Sequence, residues 1–195
     1  MQAIHVLLMF VFQGCRTAGI DMATRFVRER RRVLPTSSIQ LLSLDRLETA
    51  PVRLAVNYWR LLRSGNNLPA RSQLSPRDMA GILRNIILVR VIEGGSDYEY
   101  RIVGDAHVEV FGANFNKLRS SDVERISPAH GAQMRQAYEY VRSRAQPFAV
   151  RGWLGREIKD ALFIHHETVF LPLGEDHVTV DHILLAGMYV SKPPD

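Results

Sequence analysis

The chain has one cysteine in 195 residues, Cys15. A lone thiol excludes an intramolecular disulfide and a cysteine-based zinc site, and it fits a reducing compartment. Also missing is a phosphate-cradling glycine loop, since Gly94-Gly95 reads as a hairpin turn with no helix after it. Nothing resembles a serine nucleophile elbow, and Cys15 lies outside the expected domain, which argues against a cysteine nucleophile. No internal repeat or low-complexity tract is present. Residues 3–12 are an apolar run broken only by His5, about half the length that spans a bilayer.

The body also carries little net charge. The chain holds 25 Lys and Arg against 20 Asp and Glu, a net of +5. Six of those arginines (16, 25, 28, 30, 31 and 32) precede Pro35, against Asp21 and Glu29 alone. The remainder holds 19 basic and 18 acidic groups. A nucleic-acid interface needs its basic face on the folded domain, so nucleic-acid binding is not expected.

Residues 1–35 are set apart as a basic and apolar head. The arginines follow the apolar run instead of preceding it, the wrong order for a cleaved signal. The head reads as a frayed, disordered arm, as a docking segment, or as an upstream extension with translation beginning at Met22. Its Arg28-Glu29-Arg30-Arg31-Arg32 cluster would suit an anionic membrane or nucleic acid, or a solvated helix face. Pro35-Thr36-Ser37-Ser38 reads as the linker into a domain over 36–195.

Within that domain Thr49 caps a helix with Pro51 in its first turn, ending before Gly65. Val52, Ala55, Val56, Trp59 and Leu62 recur at helical spacing, with Leu54, Tyr58 and Leu61 widening the stripe. Ser75-Pro76-Arg77-Asp78 starts a short second helix ending near Leu83. Residues 85–92 are a β-branched run ended by the turn Glu93-Gly94-Gly95-Ser96, and 98–103 follow as the second strand of a hairpin. Gly104 stops the second strand, and a short helix over 106–111 closes at Gly112. Ser127-Pro128 opens a helix whose Met134, Ala137, Tyr138 and Val141 form one apolar face. Strands over 148–154, 161–171 and 177–190 follow, the last two long enough to need bulges or strong twist. Helices and strands do not alternate, so the class is α+β, one antiparallel sheet with helices packed on one face.

Several motifs in order resemble a stand-alone, single-domain bacterial PAS family. They are Tyr58-Trp59-Arg60-Leu61-Leu62-Arg63-Ser64-Gly65, then Leu68-Pro69-Ala70-Arg71 and Ser75-Pro76, then Tyr100-Arg101-Ile102-Val103-Gly104. Val110-Phe111-Gly112 and Leu171-Pro172-Leu173 complete the pattern. The resemblance covers about residues 50–190, and it departs at Asp105-Ala106, where a Gly-Thr step is expected after Gly104. It implies a PAS-like five-stranded antiparallel sheet whose helices enclose a small cavity. PAS domains use that cavity for haem, flavin, small metabolites or nothing, and the sequence does not select among these. A reactive cysteine beside the cavity, which the flavin photosensor type needs, is absent from the body.

The expected cavity residues are Trp59, Tyr100, Val103, Phe111, Tyr138 and His182. Tyr98, Tyr100 and Ile102 are expected on one strand face and Glu99, Arg101 and Val103 on the other. No catalytic or metal residue is proposed. His165 and His166 point to opposite faces of a strand, so they do not chelate together. A turn at Glu175-Asp176 would pair residue 166 near 185 and make His166 and His182 diagonal neighbours at best, and only if their faces agree. His107 has the position of an axial haem ligand, yet it sits beside the core stripe of Val108 and Phe111. The expectation is therefore a cytoplasmic, non-enzymatic sensory or protein-interaction module that signals through partner contact or as a homodimer. It would bind a small ligand in the cavity. The alternatives are a small α+β cavity enzyme, which needs an Asp or Glu facing His or Tyr, and an adaptor using the Arg-rich head on nucleic acid or membrane.

Overall fold

The computed structural model describes residues 38–191 apart from 66 and 154–162. The readings made of the head, and of the join between the strands expected over 148–154 and 161–171, lie outside the described residues. The elements in chain order are β1 (Ser38–Leu42), α1 (Ala50–Leu62), β2 (Ile86–Ile92), β3 (Asp97–Val103) and α2 (Asp105–Phe111). Next come α3 (Ser120–Ile126), α4 (Pro128–Arg144), β4 (Phe148–Trp153), β5 (Phe163–Leu173) and β6 (His182–Ser191). All strand pairings are antiparallel, in the order β1-β4-β5-β6-β2-β3. This is the α+β, PAS-like architecture, with six strands in place of five. The sixth is β1, which takes up Ser38 from the expected linker and pairs Leu41 with Val150.

Helices cover both faces of the sheet, not one. Successive residues of a strand point to opposite sides, and here both sides are buried. Ile86 and Leu88 pack with Val52, Ala55, Val56 and Trp59 of α1 on the outer face, together with Val169, Leu171 and Leu184. Ile87 and Val89 pack on the inner face with Val123 of α3 and Ala137, Tyr138 and Val141 of α4. That double burial explains why Ile86-Ile87-Leu88-Val89 is an unbroken apolar run. Helix α1 buries one narrow stripe at i, i+3, i+4 and i+7. Leu54 and Leu61, expected to widen it, are 53% and 83% exposed because they face away from the sheet.

Three local expectations are corrected. The stretch after Ser75 forms turns and a 3-10 helix over Ala80–Asn85 instead of an α-helix. Strand β3 carries a bulge: Leu88 pairs with Ile102 but Val89 with Tyr100, leaving Arg101 as the extra residue. A bulge inverts the alternation beyond it, so Val103 joins Tyr98 and Tyr100 in the inner core while Ile102 is 42% exposed. Finally, Gly174 and the residues up to Asp181 form the β5–β6 connection, so β6 begins at His182. His166 therefore pairs with Tyr189 and not near 185.

Two glycines are set by geometry. Gly112 closes α2 in the left-handed region, φ 63°, where glycine carries no Cβ penalty. Gly104 lies at ordinary φ, but a Cβ there would run into the carbonyl oxygens of Leu83 and Arg84. The edge of β3 is covered by a short return: Lys117 N–H donates to the Tyr100 carbonyl at 2.7 Å, and Tyr100 N–H donates to that of Leu118 at 2.9 Å.

Candidate functional site

A cavity of about 130 Å³ lies between the inner sheet face and α4. Ile87, Phe148, Val150, Phe170 and Leu185 form its floor. His130, Gln133, Met134, Ala137 and Tyr138 of α4 form its roof, and Phe111 and Phe115 close one side. Ile39 and Leu41 reach it from β1, which is how the added strand contributes. Its polar groups come from His166 and Thr168 of β5, Tyr189 of β6, Tyr100, and the roof. Among the described residues, no Lys, Arg, Asp or Glu side chain lines it.

The walls are largely aromatic. Phe148 and Phe170 stack with centroids 4.6 Å apart and planes 4° apart. Phe111 lies 4.7 Å from the His130 ring, and Phe115 stacks on that ring at 6.4 Å. Tyr138 hydroxyl donates to that of Tyr100 at 3.1 Å. Burial raises the pKa of both phenols, so each stays protonated and can donate. Burial pushes His130 below its ordinary value, which leaves a neutral imidazole at pH 7. Tyr189 is raised by burial, against a bond with the Thr168 hydroxyl, to about 12. Its ring stacks on His166 at 6.1 Å and meets Phe111 edge-on at 5.7 Å. The His166 ring in turn lies over Gly152, its cross-strand partner, where a Cβ would overlap Nε2.

Of the residues expected in the cavity, Tyr100, Phe111 and Tyr138 line it. Val103 packs in the same core without lining the space. Trp59 and His182 do not reach it. Trp59 sits under α1 on the outer face, its indole N–H donating to the Pro172 carbonyl at 2.8 Å. His182 falls on the outer-face parity of Leu184 and Ala186; its Nδ1 meets Asp181 Oδ1 at 2.7 Å. His166 and His182 are consequently on opposite sides of the sheet, and the side chain of His165 lies outside the described residues. His107 is fully buried but is not part of the lining. Its Nε2–H donates to the Asn85 carbonyl at 2.8 Å, and its Nδ1 has no partner among the described residues.

Two buried carboxylates hold the elements around the cavity. Asp97, at the start of β3, accepts the hydroxyls of Ser120 and Ser121 at 2.8 and 2.7 Å and meets Arg135 of α4 at 3.2 Å. Burial pushes its pKa up, but the bonds from Ser121, Tyr98 N–H and Ser120 outweigh burial and take it down to about 2. Glu167, fully buried on β5, turns to the outer face. It accepts the backbone N–H groups of Glu48 and Thr49 at the start of α1, and it pairs with Arg151 at 2.6 Å.

Sequence reading missed both carboxylates as well as His130 and Gln133. For His130 a signal existed: it stands four residues before Met134 and extends the Met134, Ala137, Tyr138 and Val141 stripe by one turn.

The family model for the PAS domain matches residues 47–190. The chain belongs to the PAS domain family. No curated protein and no solved structure matches it. PAS domains as a class are sensory or interaction modules, in general regulatory instead of catalytic. Among the described residues, no helix of this PAS domain is long and apolar enough to cross a membrane.

Proposed function

We propose that this PAS domain is a cytoplasmic sensor that takes a small molecule into the cavity beneath α4 and signals by protein contact. The observation that carries the reading is the cavity itself: an aromatic-walled space within the inner core, with few polar groups and no charged side chain among the described residues that line it. Ligand sites have this character. The enzyme alternative required a carboxylate facing His or Tyr, and no described carboxylate lines the space.

Strand β5 supports α1 as the outlet. Along it His166 and Thr168 face the cavity while Glu167, between them, holds the start of α1. A ligand that shifts β5 therefore acts on the helix covering the opposite face. The receiver is a second copy of the chain or a larger regulator.

The test is native mass spectrometry and absorbance of the purified protein, followed by a fragment screen read by thermal shift. Added mass, or a fragment that raises Tm, is expected. Ala137→Leu, which fills the roof of the cavity, should fold and lose that response. A protein that binds no fragment of any polarity would sink the reading.

A further inference from the structure

We infer that the cavity selects a neutral, single-ring aromatic molecule bearing one hydrogen-bonding substituent, and that His130 receives that substituent. The inference rests on the sensory reading above and narrows it to a ligand class.

Size sets the first limit. About 130 Å³ is close to the roughly 150 Å³ of an engineered apolar cavity that stays dry and takes up benzene. A macrocycle or a three-ring cofactor does not enter this space without the roof moving.

Charge sets the second. With no cationic or anionic side chain among the described residues of the lining, a carboxylate, phosphate or ammonium would enter without a counter-ion from them. That desolvation goes uncompensated.

The walls set the third. The parallel Phe148–Phe170 pair and the tilted Phe111 and Phe115 rings offer faces and edges together. Aromatic guests gain from such contacts beyond the area they bury, whereas aliphatic guests gain from area alone.

The polar groups set the last. Tyr100 and Tyr138 bond each other, Thr168 bonds Tyr189 and lies 3.5 Å from His166 Nδ1, and Gln133 of the roof is exposed. His130 is different. It contacts the rings of Phe111 and Phe115, and no hydrogen bond satisfies its nitrogens among the described residues. A neutral imidazole presents one donor and one acceptor, which suits a hydroxyl group able to do both.

The experiment is calorimetric titration of the full chain with phenol, toluene, cyclohexanol and benzoate, repeated on His130→Leu and His130→Gln. Circular dichroism melts confirm that each variant folds, and the glutamine variant, which keeps a polar group, covers a failure of the leucine one. Phenol is expected to bind. His130→Leu should weaken phenol by about 10-fold, the scale of one hydrogen bond, and leave toluene unchanged. His130→Gln should recover part of the loss, and benzoate should not bind. The inference is overturned if benzoate or cyclohexanol matches phenol, or if phenol is indifferent to both substitutions. Binding of only those other probes would refute the ligand class and leave the sensory reading standing. Binding of none of the four would refute the class, and the fragment screen then decides the broader reading separately.

Discussion

The carboxylate of Glu167 accepts both the backbone N–H of Thr49, at 2.9 Å, and its hydroxyl, at 2.7 Å. Thr49 precedes α1, where a threonine usually accepts from the helix's own early N–H groups. Here it donates instead, and no side-chain cap bond is made. A carboxylate on β5, 118 residues away in sequence, anchors the residue that precedes the helix. Burial alone would raise its pKa, but Arg151 and the Thr49 and Glu48 donors outweigh burial and lower it. A negative group is also favoured at this end of the helix dipole.

Glu167→Gln should therefore destabilise the domain by about 3 kcal/mol, since it leaves Arg151 and the start of α1 facing a neutral amide. Urea denaturation measures the total, and hydrogen exchange should show the early amides of α1 affected first. A change below about 0.5 kcal/mol would place the clamp among ordinary surface pairs.

Acidification should act in two windows. His107 and His130 are both held below the ordinary 6.5 by burial. The unfolded chain takes up those protons first, so the stability they contribute is intact above that value and is lost as pH falls below it. Asp97, lowered to about 2 from 3.8, and Glu167, also lowered, contribute stability that is lost at more acid pH. Denaturation midpoints at pH 7.5, 5.5 and 3.5 should decline in both steps. His130→Leu should shrink the first and leave the second.

Two glycine substitutions should separate folding from binding. In Gly104→Ala the new methyl meets backbone carbonyls of Leu83 and Arg84, which do not swing aside, and a loss of about 3 kcal/mol is expected. In Gly152→Ala its three nearest neighbours are atoms of the His166 imidazole and not backbone. That ring can rotate, so Tm should change little while affinity for any cavity ligand changes. Equal Tm losses in the two variants would contradict this.

The Tyr100–Tyr138 hydroxyl bond should give a coupling of about 1 kcal/mol in a double-mutant cycle with phenylalanine at each position. Additive losses would mean that each hydroxyl finds another partner.

Features that depend on local pattern could be read from the sequence. The buried stripe of α1, the β2–β3 hairpin and the left-handed stop at Gly112 follow from periodicity and turn chemistry. What escaped depends on distant partners. Strand β1 is five residues whose identity as a strand comes from pairing with β4. The length of the β5–β6 connection set a register four positions along β6 from the expected one, pairing His166 with Tyr189. Trp59 resembles a cavity anchor, yet α1 crosses the other side of the sheet, which no spacing within α1 reveals. Glu167 stands in an apolar strand as an anomaly, and its explanation lies at Thr49 and Arg151.

The extra residue at Arg101 has a consequence for how this chain compares with its relatives. It acts as a phase marker in β3. Upstream of it even-numbered positions feed the cavity side, and downstream Val103 does. A relative lacking that residue would need a one-position gap there in any alignment. Without the gap, an outward-facing side chain would be matched to Tyr100, and the ligand preferences of two cavities would be compared through residues that never meet a ligand.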